Sequence, residues 1–133
     1  MTRTNVSPAA EPRDLYLPVM AEITGIRAMT DLETLYEVTM PEGADLGHEP
    51  GQFVEVSLFG VGEAPFSISS SPTRAGSFEM GVRRVGMLTE VMGRMRVGEK
   101  VGVRGPFGRG VPVERFQGKD VLIVAGGIGL VPM

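Results

Sequence analysis

The chain has 133 residues, 42% of them hydrophobic, with a net charge of −3. That length holds one full domain, and that apolar content supports a packed core and not a disordered chain. It contains no cysteine and a single histidine, His48. This excludes a disulfide framework, a cysteine nucleophile, a thiolate-held cluster and a His-based catalytic pair, and it leaves no protein-only metal site to propose. His48 itself, in the polar loop "GADLGHEPG", is expected at the surface.

The opening residues, "MTRTNVSPAAEPRD", lack the apolar run of a signal peptide, and residues 1–15 read as a flexible tail. "VMAEITGIRAMT" reads as a long, bent strand. "LETLYEVTM" follows, with Leu35, Glu37 and Thr39 opposite Tyr36, Val38 and Met40. Residues 41–50 form a loop. In "GQFVEVSLF" the residues Val54, Val56 and Leu58 share one face, with Phe53, Glu55 and Ser57 on the other. "APFSISSS" alternates Phe66, Ile68 and Ser70 against Ser67, Ser69 and Ser71, which predicts a strand over 64–71. "SFEMGVRRV" is another, and Gly81 inside it suggests a bulge or a close backbone approach.

The period then changes. "MLTEVMGRMRVG" sets Leu88, Val91, Met92 and Met95 at helical spacing, with Thr89 near the start and Gly98 past the end. "EKVGVRGPFG" returns to strand and closes in a Gly-Pro-Phe-Gly turn. Six short strands and one late helix predict an all-β fold, a six-stranded antiparallel Greek-key barrel over residues 16–117. Residues 118–133 break the pattern. "KDVLIVAGGIGLVPM" is continuously apolar before its glycines, as in a strand buried on both faces of a parallel sheet. It reads as the first strand and glycine turn of an incomplete α/β domain. This run is too short to span a bilayer, so a cytoplasmic protein without membrane partners is expected.

Charge is unevenly spread: residues 1–73 hold 11 acids and 3 bases, whereas residues 74–133 hold 5 acids and 10 bases. The basic half is either a solvated face or a seat for an anion. Two turns suit phosphate. In "RRVGMLTEV", Arg83 and Arg84 end a strand and Gly86 opens the helix bearing Thr89. A helix start offers free N–H groups, and the hydroxyl and guanidinium groups add donors. "VAGGIGLVP" is a strand-to-helix glycine turn without the G-x-G-x-x-G spacing. The serines of "APFSISSS" sit in no G-x-S-x-G elbow and have no histidine beside them in the sequence, which argues against a hydrolase.

Taken in order, "P-F-S-I-S-S", a strand ending "V-R-R", "G-x-L-T", "G-P-F-G" and "V-A-G-G-I-G-x-x-P" resemble the ferredoxin–NADP reductase superfamily over residues 16–133. The stretch "FGVGEAPFSISSSP" is most similar to the gamma (diaphorase) subunits of cytoplasmic hydrogenases, sulfhydrogenases and anaerobic sulfite reductases. The resemblance implies an FAD-binding module of an NAD(P)H-dependent electron-transfer oxidoreductase, working with an iron–sulfur or hydrogenase-type partner subunit. It implies that Ser67 bonds the hydride-accepting flavin nitrogen and so has the catalytic position. Pro65, Phe66, Ser67, Ile68 and Ser69 would bed the flavin, with Phe66 against the ring. Val82, Arg83, Arg84, Gly86, Met87, Leu88 and Thr89 would hold the diphosphate. Gly126, Gly127 and Gly129 would border the nicotinamide, whose productive binding belongs to a longer protein. The family's Arg-x-Tyr-Ser stands here as Ala64-Pro65-Phe66-Ser67, so the usual diphosphate arginine and tyrosine hydroxyl are both missing. Two other readings are a cofactor-free barrel docking a redox partner, and a nucleic-acid barrel using Arg83, Arg84, Arg94, Arg96 and Arg104. Net acidity and the lack of exposed stacking aromatics weigh against the second.

Overall fold

The computed structural model of the chain describes residues 14–42 and 44–133. The tail expected over 1–15 therefore lies outside the described residues except for Asp14 and Leu15. Six strands form, β1 (Val19–Ala28), β2 (Glu33–Thr39), β3 (Phe53–Leu58), β4 (Gly62–Ser67), β5 (Ser77–Arg83) and β6 (Lys100–Phe107), with one helix, α1 (Met87–Met92), before β6. They pair antiparallel in the order β4-β3-β6-β1-β2-β5, the barrel expected from the alternation. β6 enters between β1 and β3, which is the Greek-key crossover. The bend expected in the first strand is a register shift between Ile23 and Gly25.

Period-two alternation decides which side chains go inward. Ile23 from β1, Tyr36 and Val38 from β2, Val54 and Val56 from β3, Phe66 from β4, Phe78, Met80 and Val82 from β5, and Val101 and Val103 from β6 fill one core. Each such side chain contributes about 1.5–3 kcal/mol by leaving water. α1 covers one end of this core. Met92 is fully buried, and Leu88, Val91 and Met95 pack against the cluster, as the helical spacing required. The helix stops sooner than Gly98, because Gly93 caps it and the Arg94 and Met95 N–H groups bond three residues back, to Val91 and Met92. Tyr36 fastens it: the buried hydroxyl donates to the Met92 carbonyl at 2.8 Å. Burial raises the Tyr36 pKa above its ordinary value, and the nearby Arg84 charge only partly opposes this.

The two edge strands, β4 and β5, meet just past the end of β4. Ser69 N–H donates to the Glu79 carbonyl at 2.8 Å, and Glu79 N–H donates to Ser70 Oγ at 3.0 Å. The serine hydroxyl thus stands in for the carbonyl of a regular ladder. Because Ser70 turns to this task, the strand expected over 64–71 ends at Ser67 and begins earlier, at Gly62.

Two expectations need correction. His48 is buried, at 6% exposure, and its Nε2 lies 3.0 Å from the Ser70 carbonyl oxygen. The loop over residues 44–52 folds over the β4 exit, and His48 satisfies a carbonyl that closure would otherwise leave unpaired. The apolar segment 121–125 is not a strand here. It pairs with no strand among the described residues and exposes Val121, Leu122, Ile123 and Val124. A strand exists only through the ladder beside it, and none is present.

Outward charges pair locally. Glu37 and Glu79 face each other across β2 and β5, and Arg74 bridges them at 3.5 and 3.2 Å. Arg104 binds Glu63 through Nε at 3.0 Å and through Nη2, and its Nη1 donates to the Leu15 carbonyl at 2.7 Å. This pairing holds the Glu63 carboxyl below its usual range. No helix among the described residues is long and apolar enough to cross a membrane.

Ser70→Ala removes the acceptor for Glu79 N–H and is expected to cost about 1–2 kcal/mol in urea unfolding; an unchanged midpoint would contradict the closure. Tyr36→Phe is expected to cost about 1 kcal/mol near neutral pH. The Tyr36 contribution is intact below the ordinary tyrosine pKa of about 10 and is lost as pH rises through the higher folded value. Thermal midpoints of wild type should therefore fall more steeply above that pH than those of Tyr36→Phe.

Candidate functional site

Beside the closure lies a slot of about 360 Å³, lined by Ala64, Pro65, Phe66, Ser67 and Ser69 from β4 and its exit, Gly81 and Arg83 from β5, Val85 and Thr89 at the start of α1, and Ile128, Gly129, Val131 and Pro132. The last four belong to or follow a 3-10 turn, Gly127–Leu130, which lies against β5. One wall is thus barrel and the other is the end of the chain. A second cleft of about 490 Å³, around Pro18, Met20, Phe59, Val61 and Lys100, is larger and mainly apolar, and Lys100 is its one charged residue.

The β4 wall owes its chemistry to strand alternation. Phe66 and Ile68 turn into the core, at 9% and 3% exposure, so Pro65, Ser67 and Ser69 point outward. Ile68 N–H bonds the Gln52 carbonyl on the β3 side at 3.1 Å. Antiparallel pairing alternates, so the Ser67 N–H and C=O turn the opposite way, toward the open edge beside the slot. Pro65 has the same phase, so its missing N–H costs no ladder bond. Ser69 Oγ donates weakly to the Ser67 carbonyl at 3.4 Å. The exposed N–H and hydroxyl of Ser67 are the polar groups that this wall offers a ligand.

The two arginines part company. Arg83 lines the slot, and its Nε lies 3.4 Å from Glu33, its cross-strand neighbour, which steadies the side chain. Arg84 turns away: its Nη2 donates to the Asp31 carbonyl at 2.6 Å, and its Cδ would lie 2.8 Å from any Cβ at Gly93. Thr89 is also committed internally. Its Oγ1 accepts from the N–H groups of Val85 and Gly86 and donates to the Gly86 carbonyl, so this hydroxyl is no donor to an anion. Gly86 and Met87 are exposed and Leu88 packs against the core, but none of these three lines the slot. Val82 is 1% exposed and does not line the slot. Of the three turn glycines, Gly129 lines the slot, whereas Gly126 and Gly127 lie outside it.

Sequence reasoning missed Val85, Ile128, Val131 and Pro132 as slot residues. Gly81 was the one legible signal, since a glycine in mid-strand marks a close approach, and what approaches is Val131. No group of three or more metal-ligating side chains clusters among the described residues.

The slot meets the physical needs of a flavin nucleotide. A flat, mainly apolar ring suits a gap walled by proline and aliphatic side chains, its polar edge suits the Ser67 donors, and a diphosphate suits Arg83. The chain is also similar to known proteins. The sequence is 41% identical to sulfhydrogenase 1 subunit gamma of Pyrococcus furiosus over 115 residues, covering 84% of this chain and 39% of the relative. It is 35% identical over 85 residues to a probable dihydroorotate dehydrogenase B (NAD(+)) electron transfer subunit of Methanocella arvoryzae, covering 64% of this chain and 30% of the relative. The chain thus spans well under half the length of these relatives. In fold, it superposes on Amycolatopsis cytochrome P450 reductase GcoB with a TM-score of 0.74 at 24% identity, over 86% of this chain and 36% of that one. The model of the oxidoreductase FAD-binding domain family matches residues 21–111, and the chain belongs to that family.

Proposed function

We propose that this chain is the FAD-holding barrel of an NAD(P)H-dependent electron-transfer flavoprotein that delivers electrons to an iron–sulfur partner subunit. The observation that carries this reading is the slot itself, which gathers the Ser67 edge, Arg83 and the glycine turn although they are far apart in sequence. When bound, FAD supplies the redox chemistry, accepting hydride and releasing electrons singly. The chain's residues bind, orient and screen. Ser67 offers its N–H and hydroxyl to the polar edge of the ring. Pro65 and Ser69 flank it. Phe66, which supports β4 from inside the core, also lines the slot and is assigned to the ring side. No side chain of the slot needs to move a proton, in keeping with a site built without histidine or cysteine.

The diphosphate falls to Arg83, with the backbone N–H of Thr89, which also lines the slot, as a further donor. Arg83 thereby takes over from the arginine that Ala64 replaces. The turn at Gly126, Gly127 and Gly129 is assigned to the nicotinamide side of the site, completed in a longer protein.

Mixing the purified chain with FAD and desalting it should leave a yellow protein with a flavin visible spectrum and quenched flavin fluorescence. A colourless chain that quenches nothing would sink the proposal. Arg83→Ala should weaken FAD at least about tenfold, the scale of a charge-assisted hydrogen bond, and FMN, which has no diphosphate, far less. Arg84→Ala should leave both affinities near wild type. Equal losses at the two arginines would remove Arg83 from its assigned role.

A further inference from the structure

Gly81 lies in the middle of β5, between Met80 and Val82, which are both buried in the core. Glycine weakens a strand, because it packs nothing and loses more backbone entropy than other residues. Its φ lies outside the left-handed region, so backbone conformation does not demand it. Space does. A Cβ at Gly81 would stand 2.7 Å from Val131 Cγ1, 3.1 Å from its Cβ and 3.2 Å from its Cγ2. Ordinary carbon contacts lie at about 3.5–4.0 Å, so the valine would have to retreat by about an ångström.

Val131 is not free to do so alone. Its N–H donates to the Ile128 carbonyl at 3.0 Å, and the Gly129 N–H donates to the Gly126 carbonyl at 3.2 Å, so it moves with the turn. Ile128, Gly129, Val131 and Pro132 form one wall of the slot, and Pro65, Ser67 and Arg83 belong to the other. We propose that Gly81 and Val131 form a latch that seats the turn on β5, sets the width of the slot and so positions the flavin ring. This role rests on the flavin reading above. Gly81 is a positioning residue: it acts through Val131 and its missing side chain is its contribution.

The test compares the full chain with Gly81→Ala, Val131→Ala and the double variant. Alanine favours a strand over glycine, so Gly81→Ala should leave exchange protection of the β5 and β2 amides at or above wild type. Without flavin, hydrogen exchange at the Gly129 and Val131 amides should speed up in Gly81→Ala and return toward wild type in the double variant. In FAD titrations followed by fluorescence quenching, Gly81→Ala should weaken binding about tenfold, Val131→Ala under about threefold, and the double variant should recover to within about threefold of wild type. The latch is overturned if Gly81→Ala changes neither exchange nor affinity, or if the double variant binds as weakly as Gly81→Ala. A wild-type chain that takes up no FAD counts against the flavin reading, and the exchange measurements then decide on the latch by themselves.

Discussion

Ser69 and Ser70 meet Glu79 where the two edge strands converge, and the rest of the molecule depends on that meeting. Without it, β4 and β5 would be exposed edges of an open six-stranded sheet, the usual route to non-specific pairing. With it, the sheet is drawn into a barrel and the core has no open side. Closure is local, however. Past Ser69 the strands are joined, whereas before Ser67 the β4 edge stays free and presents the Ser67 N–H beside the slot. The contact that finishes the fold also bounds the site. His48 belongs to the same device, as its ring bonds the carbonyl of the residue that closes the barrel.

The slot's polarity follows from which donors the fold has already used. Thr89 spends its hydroxyl on the Val85 and Gly86 amides, and Arg84 spends its guanidinium on Asp31, so neither is left for a ligand. Arg83 pairs with Glu33 and still lines the slot. It is the one charged side chain of that lining, in place of the diffuse basic surface that the charge count of residues 74–133 suggests.

Much of the barrel was legible in sequence because strict alternation in β3 and β5 maps directly onto inward and outward faces. The helix was legible from the spacing of Leu88, Val91, Met92 and Met95. What was not legible came from contacts between distant segments. His48 looks like any loop histidine until the loop folds over Ser70. The end of β4 cannot be read from "SISSS", since all four serines suit a strand and only the position of Glu79 assigns Ser70 to closure. Arg83 and Arg84 are neighbours of identical chemistry, and only their partners, Glu33 for one and the Asp31 carbonyl for the other, tell them apart. Phe66 joins the core by the same parity that exposes Ser67, and it lines the slot as well. The continuous apolarity of 121–125 was read correctly as unlike a barrel strand, yet its state depends on neighbours that no local pattern encodes.

The central claim is that the β4 edge, Arg83 and the terminal turn form one ligand site on a closed barrel. Backbone amide chemical shifts of the isotopically labelled chain, followed while FAD is added, test it most directly. The account predicts that the shifts cluster at Ser67, Ser69, Gly81, Arg83 and Gly129, while Met20, Phe59, Val61 and Lys100 around the second cleft stay in place. Shifts centred on that cleft, with Ser67 and Arg83 unmoved, would contradict it.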